Sequence, residues 1–261
     1  MQQVRFYYVF KIQFLGFRYS GWQKQPGFKT IEGMLVKTLK FIVPDTNFKV
    51  LGAGRTDAKV SGLDAAFELF IEETPILNFD DFLVLFNTNL PPDIRVVEMR
   101  EVDANFNIIQ DGKQKEYVYL FSFGQKNHPF CAPMLANIIA DLDIELMKKG
   151  AELFKGTHNF YSYTVRTQKN SKFRRTIFSS SISENTLLTA NFFPEKSYAF
   201  TVVGEGFLRY QIRMMMGALI QLGKGELSLS DIETSLLEGS TVQISHVAPG
   251  SGLLLNKLEF T

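Results

Sequence analysis

The segment from Arg5 to Phe14, "RFYYVFKIQF", puts Phe6, Tyr8, Phe10, Ile12 and Phe14 on one side of an extended chain and Arg5, Lys11 and Gln13 on the other. That alternation has the period of a half-buried strand. Other elements must cover its apolar side. After "FRYSGWQKQPGFKT", a loop by its Gly and Pro content, Thr30 can cap a helix that carries Ile31, Met34, Leu35, Leu39, Ile42 and Val43 at helical spacing and ends before Pro44. A strand ending near Ala53, a glycine corner, and a second strand through Ala66, Glu68 and Phe70 come next. A helix over "FDDFLVLFNTNL", stopped by Pro91 and Pro92, and a strand "IRVVEMREV" complete the order β-α-β-β-α-β.

The second half has similar elements in similar order. "KEYVYLFSF" reads as a strand and "DIELMKKGAELFKG" as a helix capped by Asp143. The segments Phe173 to Ser183, Leu187 to Phe193 and Tyr198 to Val203 read as three antiparallel strands. "GFLRYQIRMMMGALIQLGKG" reads as a strong helix with Leu208, Ile212, Met215, Met216, Leu219 and Ile220 on its apolar face. Ser230 with Glu233 reads as a capping box, and "GLLLNKLEF" as a closing strand. The expected domains are 1–103, an N-terminal α+β half with the Asp57 loop, and 104–261, a C-terminal α+β half. A chain of 261 residues with 45% hydrophobic content is long enough for two such cores.

Composition excludes some classes. Cys131 has no second cysteine to pair with, and no run of eighteen apolar residues offers a membrane span. The N-terminal alternation is unlike the continuous apolar region of a signal peptide, so the expectation is a soluble cytoplasmic protein. A net charge of +1 neither demands nor excludes a polyanionic partner. "GAGRTD" begins like a dinucleotide fingerprint, but Asp57 stands at the third glycine, where its charge would repel a pyrophosphate. "GALIQLGKGE" has one residue too many for a P-loop and Gly225 where Ser or Thr should hold magnesium. His128, His158 and His246 lack metal-type spacing, so neither metal nor organic cofactor is expected.

Three constellations remain. At the corner Arg55-Thr56-Asp57 one reading is an Asx-turn beside a solvated arginine. The other starts from Gly52 and Gly54, which let a large ligand come close, and from guanidinium groups that favour an ionised carboxylate. Such a carboxylate suits attack on the anomeric carbon of a sugar, and nucleosides have that carbon. The stretch "VRTQKNSKFRRT" carries Arg166, Lys169, Lys172, Arg174 and Arg175 with no acid, either a solvated face or a site for a nucleic-acid backbone. Arg209 and Arg213 fall four apart on the strong helix, where like charges cost stability unless an anion meets them or both snorkel to water.

"AGRTDAKVSG" resembles the A-G-R-T-D-x-G-V-H-G signature of tRNA pseudouridine synthases of the TruA type. "GFRYSGWQKQPGFKTIEGML", "NTNLPPDIRV", "KEYVYLF", "GTHNFYSYT", "RRTI", "GFLRYQIRMMMG" and "APGSGLLL" resemble further family blocks in the family's order. The resemblance implies an α+β fold of two ferredoxin-like halves, with antiparallel sheets and helices on one side, facing each other across a basic cleft in a homodimer. It implies isomerisation of uridine in RNA without a cofactor. By matching position, Asp57 is the nucleophile, by attack on the ribose or by its deprotonation. Tyr117 stacks on the base and acts in proton transfer, Arg213 pairs with Asp57, and Arg55 displaces the target base from its stack. Lys59, Arg209 and the five cations from Arg166 to Arg175 are the expected RNA contacts.

The chain departs from the family pattern at Lys59 and Ser61, where Gly and His are usual, and in "FNIIQDG", where Asn107, Ile108 and Ile109 replace His, Ala and Arg. Those family residues lie at the active-site rim, so the expected substrate is tRNA at the anticodon arm or at a divergent site. A synthase acting on another RNA, and a catalytically idle RNA-binding or RNA-folding protein on the same scaffold, are the alternatives.

Overall fold

Phe10 and Phe67 stack face to face with 4.7 Å between ring centroids. They are paired residues of two antiparallel strands, β1 (Arg5–Phe14) and β3 (Ser61–Glu72), so their side chains leave the sheet on one side. Helix α2 (Phe79–Asn89) sets Phe82 and Phe86 against Phe10, and Phe86 also meets Phe67 edge-on. Tyr8, Phe10 and Ile12 are thereby removed from solvent, as the alternation requires. The computed structural model describes residues 4–165 and 172–260. Two compact units divide it: Met1–Lys113 with Leu255–Thr261, and Gln114–Leu254.

In the first unit β4 (Ile94–Val102) and β3 flank β1, and β2 (Phe48–Gly52) pairs with β3, all antiparallel. Helix α1 (Ile31–Ile42) follows Thr30, whose Oγ1 accepts the Gly33 N–H, and it packs on α2. The element order is the one expected. The opposite side of the sheet is not simply wet. Val9 is buried there, and Lys11 is only partly exposed and ion-paired to Asp64 at 2.8 Å. Ala53, Ala66 and Ile108 pack together, and Glu68 is buried beside them with Oε2 accepting the Ile108 N–H. Its Oε1 finds no hydrogen-bond partner among the described residues, and burial raises its pKa.

In the second unit the order is β5 (Gly112–Phe123), β9 (Tyr198–Gly204), β8 (Arg174–Glu184) and β7 (Gly156–Asn159), antiparallel throughout, with β6 (Ala136–Ile138) parallel to β5. Helix α3 (Ile144–Glu152) is capped by Asp143 and packs against β8 and α4 (Gln211–Gly223); α5 (Leu229–Ser235) follows. Strand β10 (Leu253–Phe260) then returns to pair with β3, adding Leu258 to the Ala53–Ala66–Ile108 cluster. Because Phe106 and Ile108 also pack there, the division by packing falls after Lys113, against the 1–103 and 104–261 read from the sequence.

Three local expectations need correction. Residues 187–193 are not a strand: Asn185 Oδ1 accepts the Leu187 and Leu188 N–H groups while Nδ2 donates to the Leu188 carbonyl, folding a wide loop between β8 and β9. The capping box is Ser228 with Asp231, two residues earlier than Ser230 with Glu233. Helix α4 starts only at Gln211, because Tyr210 is left-handed with φ 64°. Leu208 and Arg209 thus precede the helix, and the expected stacking of Arg209 and Arg213 on one helix face does not occur. Among the described residues no helix is long and apolar enough to cross a membrane.

Candidate active site

The Asp57 loop is held by another loop as well as by its own turn. Trp22 N donates to the Thr56 carbonyl at 3.0 Å, and Lys59 N donates to the Tyr19 carbonyl at 3.1 Å. Val60 N closes the turn on the Asp57 carbonyl at 3.2 Å, and Gly16 N donates to Ser61 Oγ at 2.9 Å. The residues of "GFRYSGW" therefore clamp 56–61 at both ends, by main-chain bonds to Thr56 and Lys59 and by the Gly16 N–H on the Ser61 hydroxyl. Arg55 is exposed and Asp57 half-buried on this loop. Gly52 has a packing reason rather than a ligand-binding one: a Cβ there would stand 2.4 Å from the buried Trp22 indole.

The clamp is itself anchored to the start of β4. Leu15 N donates to the Asp93 carbonyl, the Tyr19 hydroxyl donates to Asp93 Oδ1 at 2.6 Å, and Arg18 Nε and Nη2 donate to Oδ2 at 2.8 and 2.6 Å. Burial pushes the Asp93 pKa up, but the Tyr19 and Arg18 donors outweigh it and leave the pKa below the ordinary 3.8. A carboxyl depressed in the folded state stabilises above its unfolded pKa, and that stability disappears as the pH falls through the folded value. Thermal midpoints of the wild type should therefore drop between about pH 5 and pH 2 more steeply than those of Asp93→Asn. Parallel acid limbs in the two proteins would refute this.

Lys59 is left-handed with φ 66°, which explains why glycine is usual at this position. Its Nζ lies 5.4 Å from the centroid of the Phe17 ring. Left-handed backbone costs an L-residue roughly 1–2 kcal/mol, partly offset in a glycine variant by about 0.5–1 kcal/mol of extra unfolded-chain entropy. Lys59→Gly should thus be more stable by about 0.5–1 kcal/mol, seen as a midpoint higher by a few degrees. If Lys59 meets a phosphate, the same variant lowers the salt slope of RNA binding by about one.

In the second unit Tyr117 sits on β5 opposite Val202, half-buried, with the Phe207 ring edge-on at 5.4 Å. Arg213, in the first turn of α4, donates from Nε to the Ala248 carbonyl at 2.7 Å. Lys172 and Arg174 are exposed where the chain enters β8. Arg175 instead folds back, its Nη1 donating to the Lys172 and Arg174 carbonyls, and burial lowers its pKa. Arg166 and Lys169 lie outside the described residues. No cluster of His, Cys, Asp and Glu suited to a metal ion occurs among the described residues.

Residues 151–261 match the tRNA pseudouridine synthase family. Over 257 residues the chain is 34% identical to the tRNA pseudouridine synthase A of Aster yellows witches'-broom phytoplasma, covering 97% of this chain and 98% of that protein. The chain belongs to the tRNA pseudouridine synthase family. The protein of the same name from Dictyoglomus thermophilum is 30% identical over 252 residues, 96% of this chain and 98% of its own. That from Thermodesulfovibrio yellowstonii is 29% identical over 255 residues, 95% and 96% respectively. For a tRNA pseudouridine synthase, two of the five positions expected at the rim are interior: Ile108 is 0% exposed in the cluster with Ala53, and Ser61 is 2% exposed under the Gly16 N–H. Asn107 is spent on its own turn, accepting the Ile109 and Gln110 N–H groups, and Ile109 is exposed. Sequence reasoning missed Asp93, Trp22 and Tyr210. All three stand in blocks that resemble the family's, but nothing local tells that Trp22 and Asp93 brace Asp57 or that Tyr210 is left-handed.

Proposed function

We propose that this chain is a tRNA pseudouridine synthase that uses Asp57 as its nucleophile. The observation that carries the reading is an aspartate on a doubly clamped loop, in a chain 34% identical over nearly its whole length to a tRNA pseudouridine synthase A. In the isomerisation the bond from the ribose anomeric carbon to uracil N1 breaks and one to C5 forms. The proton on C5 is lost and N1 gains one, so no oxidant, reductant or cofactor is consumed. Asp57 attacks the anomeric carbon or removes a ribose proton to trigger that cleavage. Tyr117 stacks on the base and moves a proton, Arg213 contributes a guanidinium to the reaction, and Arg55 displaces the uridine from its stack.

Lys59, Lys172, Arg174, Arg175 and Arg209, with Arg166 and Lys169, bind the tRNA backbone. Arg175 does so with the guanidinium nitrogens left over from its loop bonds. The chain acts in the cytoplasm as a homodimer. Substrate tRNA carrying tritium at uridine C5 tests the reaction directly, because product formation expels that atom to water. Release by the wild type, at a uridine whose pseudouridine disappears when the gene is deleted, is the expected result. No release, and no pseudouridine lost in the deletion, would overturn the reading in favour of an idle RNA-binding protein. A sedimentation mass of a single 29.7 kDa chain would overturn the dimer.

A further inference from the structure

Tyr210 adopts φ 64° and ψ 0°, a conformation foreign to a bulky aromatic residue, and it makes no side-chain capping bond to α4. Helix propensity and capping therefore do not explain why a tyrosine stands there. Its ring supplies a reason. The Arg213 guanidinium lies 4.9 Å from the ring centroid and that of Arg209 lies 5.2 Å away, both within cation–π range. Strain of this kind at a site residue's neighbour is a pointer to function.

The surroundings fix Arg213 from its other end. Its Nε donates to the Ala248 carbonyl at 2.7 Å, and its own carbonyl accepts the Ala248 N–H at 3.1 Å. The Tyr119 hydroxyl donates to the next carbonyl, that of Pro249, at 2.8 Å, so the strut that meets Arg213 is tied to β5. The left-handed turn at Tyr210 is what carries its ring back to the first turn of the helix. An ordinary N-cap residue such as Ser or Asn would satisfy a backbone N–H there but offer the guanidinium no face to lie on.

We propose that Tyr210 is a positioning residue for uridine isomerisation, its ring a platform that orients the Arg213 guanidinium. The proposal rests on Arg213 serving the reaction proposed above. Tyr210→Phe keeps the ring, and should stay within about twofold of wild type in kcat and in KM for tRNA. Tyr210→Asn tolerates φ above zero but removes the ring. Its thermal midpoint should hold or rise, its KM for tRNA should stay within about twofold, and its kcat should fall about tenfold. A structural role alone would move kcat and stability together. The Arg213 Nε–H resonance, assigned by its loss in Arg213→Lys, gives a readout without substrate: the ring should shift it in wild type and Tyr210→Phe, and the shift should vanish in Tyr210→Asn.

A Tyr210→Asn enzyme with wild-type kcat, or a Tyr210→Phe enzyme as slow as Tyr210→Asn, overturns the proposal. An unchanged Arg213 resonance in Tyr210→Asn overturns the platform whatever the kinetics. A wild-type chain that releases no tritium overturns instead the reading on which the proposal rests, and the resonance separates that failure from failure of the platform.

Discussion

Asp57→Ala should form no measurable pseudouridine, a loss of roughly 10⁴-fold or more in kcat, while still binding tRNA within about twofold of wild type. The size follows from removing the nucleophile itself rather than a group that assists it. Binding should survive because phosphate contacts from several cations carry most of the affinity, and deleting a carboxylate removes no such contact. The fold should survive as well. Bonds through the Thr56 carbonyl, the Asp57 main-chain carbonyl, the Lys59 N–H and Ser61 Oγ hold the 56–61 loop, and alanine at position 57 keeps each of them. Single-turnover tritium release and a filter-binding titration on the same preparation decide the matter. Residual turnover within tenfold of wild type would mean that another group performs the attack.

Gly16→Ala should have the second-largest effect, although Gly16 touches no substrate. A Cβ there would stand 1.8 Å from the Val60 carbonyl oxygen and 2.4 Å from its carbon. The obstacle is backbone, so no rotamer can relieve it, and Gly16 is itself buried and bonded to Ser61. Separating the two strands of chain should cost about 3 kcal/mol, lowering the midpoint by roughly 6–12 °C. Val60 closes the turn on Asp57, so the carboxylate moves with it. A displacement near 1 Å is worth about 100-fold in rate. Gly206→Ala, where nothing lies within 4 Å of the added carbon, should change stability by less than about 0.5 kcal/mol. Equal melting of the two variants would show that the 16–60 contact has slack.

The elements of the fold were legible wherever a local signal matched the outcome. The alternation of β1, the Thr30 and Asp143 caps and the prolines after α2 each act over a few residues, and each is present as read. The errors share a cause. Leu187 to Phe193 has strand-forming residues, but the Asn185 side chain captures the backbone first. The apolar pattern of α4 extends back to Leu208, but a left-handed Tyr210 interrupts it, and no periodicity reveals a φ angle. At the site, Asp57 and its neighbours could be singled out from their chemistry. The Tyr19, Trp22 and Asp93 brace joins segments far apart in sequence, and the burial of Ser61 and Ile108 depends on what folds over them. Two residues that differ from the family pattern thus belong to the interior, which leaves Lys59, Asn107 and Ile109 as the exposed departures.

Strand β10 also sets an order of events during synthesis. Leu258 N donates to Asp64 Oδ2 across 194 residues of chain, and Lys11 Nζ donates to the Leu258 carbonyl across 247. A nascent chain carrying only residues 5–113 has every helix of its first unit yet lacks the strand that seals Ala53, Ala66 and Ile108. The part of the β3 edge that β10 covers should stay open while the ribosome makes the intervening sequence, so the first unit is expected to be completed last. The bonds described above for the Asp57 clamp lie between residues 15 and 93, so the clamp is expected to form before β10 is made, and the cluster behind it to close only when nearly all of the chain has been translated.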